Sequence, residues 1–393
     1  MVEMLTDASP SFVVDVAIIG AGIAGSSLAK ALASRGRRVL LIDRRSFPRH
    51  KVCGEFLSPE SARMLSELGV EPAIRALGPA DIRAAVIQAY GGASLRVPLP
   101  AAAWGISRYA LDEALHREAL LAGVELATGT SVTTMRRDAD GFLLDMTQGG
   151  NARTVRARVV VGAWGVNGRI PGWTGERPVK RLAASPFMGV KAHYVGIQAA
   201  DEVELYFFEG GYLGLSPAGD GVVNAAALLD RSAIREAPAD VHGWFGIARA
   251  RCPALDRRLA GAVPLAGTQA AVAPVRLYAK PVPWDGIPLI GDACATIPPL
   301  CGDGMAMALR AAQLCAASTE RYLQGELSLS TWEEEYVSSI FREFSGPLRW
   351  GNLLQRASGR PLLARLAMTA ARSMPALGRQ LFLATRLAPT SQS

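Results

Sequence analysis

Three glycines and one aspartate near the start of the chain have the types and spacing to hold a phosphate-bearing ligand. Gly20, Gly22 and Gly25 fit G-x-G-x-x-G, with Ile23 and Ala24 between the last two. The first glycine allows a sharp turn, the second lets backbone approach a pyrophosphate, and the third lets a helix pack close to the strand before it. Free N–H groups at the new helix start, with the positive end of its dipole, then favour the anion. Asp43 falls where a carboxylate would accept hydrogen bonds from both ribose hydroxyls of an adenosine.

A second constellation lies far along the chain, in IPLIGDACATIPPLCGDGMAMAL. Asp292 can accept hydrogen bonds from polyol hydroxyls. Pro298 and Pro299 shape an irregular loop suited to a flat surface. Gly302 and Gly304 flank the start of a helix, with Met305 next in line, and a helix N-terminus there offers N–H groups to an electron-rich ring edge. Between the two constellations stand three weaker candidates. Arg44 opens a basic loop after Asp43, Cys53 precedes Gly54-Glu55, and Arg108 sits at the head of another helix, where it could reach a phosphate. No histidine at a fixed spacing supports thiolate chemistry, so Cys53 reads as an active-site neighbour rather than a nucleophile. Lys191 and His193 fall in a strand-like run, where a lone histidine is ordinarily structural.

The elements that must position these residues follow from pattern. Val14, Val16, Ile18 and Ile19 read as a strand, a helix begins at the glycine turn and continues through Ser26 to Ser34 until Gly36 breaks it, and Arg38 to Ile42 reads as a second strand. Ser58 to Leu68 reads as a helix with Ser58 as N-cap and Pro59 at its first position. Gly91-Gly92 separates two strand-like runs, and 181–270 is a β-rich stretch with Gly and Pro breaks. The chain returns through a strand at Ile287–Ile290. The expected fold is α/β: a Rossmann-type domain from 12–80, 105–180 and 271–330, interleaved with an antiparallel β-sheet domain from 81–104 and 181–270. A helical basic segment, 331–393, ends the chain.

Composition narrows the classes. Of 393 residues, half are apolar and 20% charged, with a net charge of +7, as in an ordinary globular protein. No dense basic tract interleaved with aromatics argues for nucleic acid. No run of about twenty apolar residues predicts a membrane span. Five cysteines without C-x-x-C spacing, and four scattered histidines, point to free thiols in a reducing compartment and to no metal site. A cytoplasmic protein is expected. Arginines spaced between leucines in the last fifty residues suit either a helix packed on its own domain or peripheral contact with a membrane surface.

Together GAGIAG with Asp43, KVCGEFLSP, GISRYALDEAL and IGDACATIPPLCGDGMAMAL resemble the flavoprotein superfamily of p-hydroxybenzoate-hydroxylase fold, over residues 12 to 330. That superfamily includes aromatic hydroxylases, flavin-dependent halogenases and geranylgeranyl reductases. The resemblance implies FAD as cofactor and a substrate-binding sheet. It places Arg108 and Asp292 against the FAD chain and the Gly302–Gly304 loop beside the isoalloxazine. The C-G-E-x-L-S-P segment is most similar to the geranylgeranyl-reductase-related enzymes of lipid and secondary metabolism. Trp164-Gly165 stands where aromatic hydroxylases carry an Asp-Gly pair tied to NAD(P)H use, so NAD(P)H and a partner flavin reductase both remain as electron donors. The strand GYLGLSP lacks the halogenase tryptophans.

The expected reaction is therefore monooxygenation of an aromatic, quinone or polyketide-like molecule through a flavin hydroperoxide, with the flavin itself as the reactive group. The alternative is reduction of C=C bonds in a prenyl or other lipid chain. A non-catalytic flavin-binding module comes third. A hydrophobic small molecule is the expected substrate, with Phe187, Tyr206, Phe208 and Tyr212 as its aromatic wall.

Overall fold

The computed structural model describes residues 13–90, 92–173, 185–235, 238, 240–278 and 280–360, and of the last stretch 369, 373, 380 and 383–387. The chain begins β1 (Val13–Ile19), α1 (Ile23–Ala33), β2 (Val39–Asp43), β3 (Phe56–Leu57), α2 (Pro59–Glu67) and α3 (Glu71–Arg75). It continues β4 (Ala80–Gln88), β5 (Ser94–Gly105), α4 (Arg108–Leu121), β6 (Glu125–Thr128), β7 (Thr130–Asp138), β8 (Gly141–Gln148) and β9 (Asn151–Gly162). Then come β10 (Phe187–Val195), β11 (Glu202–Phe208), β12 (Gly211–Pro217), β13 (Val223–Asp230), α5 (Val241–Arg251) and α6 (Pro253–Arg258). Short strands β14 (Val263–Pro264) and β15 (Ala270–Val272) precede α7 (Gly304–Leu323) and α8 (Leu329–Ser358).

Two sheets result. The first has the order β6-β2-β1-β9-β8-β7: β6, β2, β1 and β9 run parallel, and β7 and β8 fold back as an antiparallel meander. Its central strand is buried on both faces, with Val16, Ala17 and Ile18 shut off from solvent, as a continuous apolar strand under helices must be. The second sheet runs β14-β10-β13-β12-β11-β4-β5-β3, antiparallel except where β11 meets β4. Its edge strand β3 follows directly from the segment after β2 and pairs Phe56 with Gly105. One short strand thus ties the early loop to the larger sheet.

Helices α1 and α7 lie side by side over the first sheet. Arg35 Nη1 donates to the Ala316 carbonyl at 3.0 Å, and Arg37 pairs with Glu320. Helix α8 presents Tyr336, Ile340, Phe344 and Leu348 as one buried stripe at helical spacing, and Tyr336 Oη donates to the Leu289 carbonyl at 2.8 Å. Part of the amphipathic pattern expected for the last fifty residues lies outside the described residues, including Arg365, Arg372 and Arg379.

The first helix begins at Ile23, directly after Gly22, as the glycine turn requires. One expectation needs correction. Ile287–Ile290 is not a full strand: Leu289 makes a single parallel bridge to Gly162, because the chain turns away at Gly291, whose φ of +59° is left-handed. The β-rich stretch 181–270 also holds two helices, α5 and α6. Helix α5 packs Phe245 and Ala248 against Tyr206 and Phe208 on the far face of the second sheet.

Candidate FAD site

The glycine turn has the shape its spacing implies. Gly20 takes φ +117°, and a Cβ there would meet the Ala163 carbonyl oxygen at 2.2 Å. A Cβ on Gly25 would meet the Gly20 oxygen at 1.9 Å. Gly22 differs: a Cβ there would touch nothing closer than Lys51 Nζ at 3.8 Å and Arg108 Nη2 at 4.0 Å. The two outer glycines are required by the protein's own packing, while the middle one opens onto a gap flanked by two cations. Such a cradle fits a pyrophosphate. Arg49 adds a buried Nε with no partner. Asp43 Oδ2 accepts the Ala21 N–H at 2.9 Å and Oδ1 the Arg45 N–H at 2.8 Å, so the carboxylate is locked at the end of β2 beside the exposed Arg44. His116, which sequence reasoning passed over, bonds through Nε2 to the Ala21 carbonyl at 2.7 Å and braces the turn from α4.

The second constellation meets the first. Gly291 packs on Ala24, a Cβ there lying 2.9 Å from the alanine methyl, which brings Asp292 to the start of α1. Burial and the nearby Arg108 push the Lys51 ammonium below its usual range, against the pull of Asp292 and Asp112. Both returns of the backbone therefore face one groove. Pro299 is exposed on the loop, and Met305 is buried under it. Gly302 is left-handed, at φ +69°, and the Phe56 ring lies 3.1 Å from where its Cβ would be. Gly304 is exposed, with nothing within 4 Å of an added Cβ, so the mouth of α7 is open.

Between these lies a turn of another kind. Glu55 holds φ +56°, a left-handed conformation uncommon outside glycine. Its carboxylate has no solvent contact. Oε1 accepts from Lys191 Nζ at 2.5 Å and from the Arg108 backbone N–H at 2.9 Å, while Oε2 meets His193 Nε2 at 2.6 Å. Lys191 Nζ lies 2.9 Å from His193 Nε2. Burial alone would raise the Glu55 carboxyl, but the bond from His193 and the charge of Lys191 hold it below the usual carboxylate range. Asn224 Nδ2 donates to the Cys53 carbonyl at 3.0 Å, and the Glu55 N–H points at Cys53 Sγ at 3.4 Å. Arg108, anchored by two bonds to Asp112 of 3.0 and 2.8 Å, reaches both Cys53 and the Gly22 gap. The half-buried thiol is thereby set in the groove.

Strand alternation explains who is present. Lys191 and His193 are two apart on β10 and share a face, and Asn224 on β13 pairs opposite His193. Gly189, on the same face, leaves room for Val52, which lies 2.9 Å from where its Cβ would be. Sequence reasoning left Lys191 and His193 as structural and gave Glu55 no role. The available signal was K-x-H inside an otherwise buried strand, since two polar side chains on one buried face require a partner.

The aromatic wall expected for the substrate divides. Phe187 and Tyr212 join Leu228, Val275, Leu205 and Leu300 in one apolar cluster beside the Pro299–Gly302 loop. Tyr206 and Phe208 point through the opposite face of β11 into the core under α5, and Phe207 takes their place on the loop side, 5.5 Å from Tyr212. Among the described residues, no group of three His, Cys, Asp or Glu could hold a metal ion. All five cysteines are free.

A Rossmann turn, an acid closing β2 and a second glycine loop beside an apolar wall define an FAD-dependent oxidoreductase. Residues 13–328 match the FAD binding domain family model, and the chain belongs to that family. It is 29% identical to digeranylgeranylglycerophospholipid reductase 1 of Methanothermobacter thermautotrophicus over 333 residues, 80% of this chain and 77% of the relative. It is 28% identical to the menaquinone reductase of Mycolicibacterium smegmatis over 387 residues, covering 90% and 84%. In fold it is similar to the myxobacterial chondrochloren halogenase, with a TM-score of 0.78 at 22% identity, covering 95% of this chain and 91% of that one.

Proposed function

We propose that this chain reduces a carbon–carbon double bond in a long apolar molecule of prenyl-chain or quinone type. The observation that carries this reading is the cluster of Phe187, Leu205, Phe207, Tyr212, Leu228 and Val275 joined by Leu300 of the glycine loop. Seven apolar side chains meet at the end of the groove where the ring of FAD belongs, so that end suits a greasy substrate. The names of the two sequence relatives, both reductases of prenyl-bearing or quinone compounds, agree in substrate class. FAD, when bound, supplies the hydride.

The chain's own residues do the rest. Lys51, Arg108 and the N–H groups after Gly22 bind phosphate, and Asp43 and Asp292 orient hydroxyls. The wall excludes water. Reduction of a double bond also needs a proton, and Cys53 Sγ, set beside Arg108 and the Glu55 N–H, is positioned to hold one. Trp164-Gly165 stands after β9 where the resembling hydroxylases carry an Asp-Gly pair tied to NAD(P)H use, which supports a partner flavin reductase as electron donor. Anaerobic incubation with NADPH checks that choice: rapid bleaching would reverse it.

The test of the main reading is anaerobic turnover by protein reduced with dithionite and then freed of it, on a panel of prenyl lipids and quinones, with products reoxidised in air before mass spectrometry so that hydroquinones return to quinones. A gain of two hydrogens that survives reoxidation is expected. A gain of one oxygen in a parallel aerobic incubation would instead support the second reading, hydroxylation of an aromatic, quinone or polyketide-like molecule. The paired rings of Phe207 and Tyr212 favour that second reading, because they could hold a planar substrate.

A further inference from the structure

Asp303 stands between the two glycines at the mouth of α7, and its carboxylate has no contact with solvent. It accepts from Ser58 Oγ at 2.9 Å, from Arg386 Nη1 at 3.3 Å and from the Leu387 N–H at 3.3 Å. Ser58, expected to cap α2, makes no cap bond; its hydroxyl serves Asp303 instead. Arg386 comes from the far end of the chain and is itself buried. Its guanidinium lies over the Phe56 ring, 5.6 Å from the centroid, and the same ring supports Gly302. A residue near the C-terminus thus completes a continuous stack beneath the loop that receives the ring of FAD.

A buried carboxylate without a counter-charge is costly, and among the described residues Arg386 is the cation within reach. Among the described residues, the ionisable groups that face Asp303 are Arg386, Glu60 and Cys301. Glu60 Oε2 lies 3.8 Å from the same Arg386 nitrogen and adds repulsion toward Asp303. Burial raises the Asp303 carboxyl, and Arg386 works against that rise.

We propose that Arg386 is a positioning residue for the FAD-binding loop Pro299–Gly304, acting through Asp303. Its charge keeps the carboxylate bonded in place, and the loop keeps the shape that accepts the cofactor. The proposal rests on family membership and on the ring of FAD lying at this loop. It is independent of whether the reaction is reduction or hydroxylation.

The experiment uses full-length protein freed of FAD and retitrated by flavin fluorescence, with circular dichroism to monitor folding. Arg386→Gln is expected to weaken FAD binding at least about tenfold at neutral pH. Binding by that variant should recover as the pH is lowered, because protonated Asp303 needs no counter-charge. Arg386→Gln with Asp303→Asn should bind FAD within about threefold of the wild type and lose the pH dependence. Arg386→Lys should rescue in part, and Arg360→Gln, an exposed arginine of the same end, should change nothing. Wild-type affinity in Arg386→Gln would overturn the proposal. So would a double variant no better than Arg386→Gln, because Arg386 would then act by packing rather than through Asp303. If Arg386→Gln alone does not fold, the double variant decides by the same criterion.

Discussion

Two turns enter the same groove and are held by opposite means. At Gly20–Gly25 the chain bends because side chains are missing, and each outer glycine is pressed against a backbone oxygen. At Cys53–Glu55 it bends with a glutamate in a left-handed conformation, a strain of roughly 1–2 kcal/mol. Partners that begin 136 residues later, at Lys191, hold that bend in place. The first turn follows from residues that lack side chains, with Ala163 after β9 packed against Gly20. The second exists only when the larger sheet has formed and delivered Lys191, His193 and Asn224. A turn held by absence is robust to distant change, and a turn held by a buried ionic cluster depends on it.

The contrast can be broken most severely at the second turn. Lys191→Met removes one partner of a fully buried pair and is expected to cost about 3–5 kcal/mol of stability, measured by chemical unfolding. Adding Glu55→Gln should recover most of that loss, because the uncompensated charge is gone. A double variant as unstable as the single would mean that Lys191 matters through its packing. Next in size, Gly25→Ala should cost about 1–3 kcal/mol, since its new methyl meets the Gly20 oxygen.

A pH titration sharpens the same point. The Glu55 carboxyl is depressed in the folded state, so its stabilisation is full above the unfolded value of about 4.3 and is lost as the pH falls through the lower folded value. Glu55→Gln should therefore flatten part of the acid limb of the unfolding curve; an unchanged limb would contradict the assignment.

Gly22→Val separates ligand from scaffold. Gly22 has an ordinary extended φ of −79° and open space at its Cβ, so the apoprotein should unfold within about 0.5 kcal/mol of the wild type. FAD binding should nevertheless be lost. Retained stoichiometric FAD would remove the pyrophosphate from this gap. The smallest structural change is Cys53→Ala, which should leave folding and FAD content near wild type while slowing double-bond reduction by about 10²-fold or more. Full activity would move the proton donor elsewhere.

Much of the backbone around the groove was legible early. The Gly20–Gly25 turn, Asp43 and the Gly302–Gly304 mouth each carry a local signature, because glycine and a strand-ending acid are placed by short-range geometry. Arg108 was legible as the head of a helix, although its two bonds to Asp112 were not. The split of Tyr206 and Phe208 from Phe207 was missed, because an aromatic run on a strand does not say which face is core until its neighbours are known. Ser58 takes the cap position its sequence implies, but its hydroxyl satisfies a buried carboxylate 245 residues away, which no local pattern reveals.

The amino-acid order alone settled the strand–turn–helix at Gly20–Gly25, the return of the chain to it and the absence of cysteine-based metal spacing. Those depend on backbone freedom and residue type over a few positions. Tertiary structure alone decided which charges pair: Glu55 with Lys191 and His193, and Asp303 with Arg386. Burial makes an unpaired charge costly enough to dictate its partner, and burial is a property of the assembled fold.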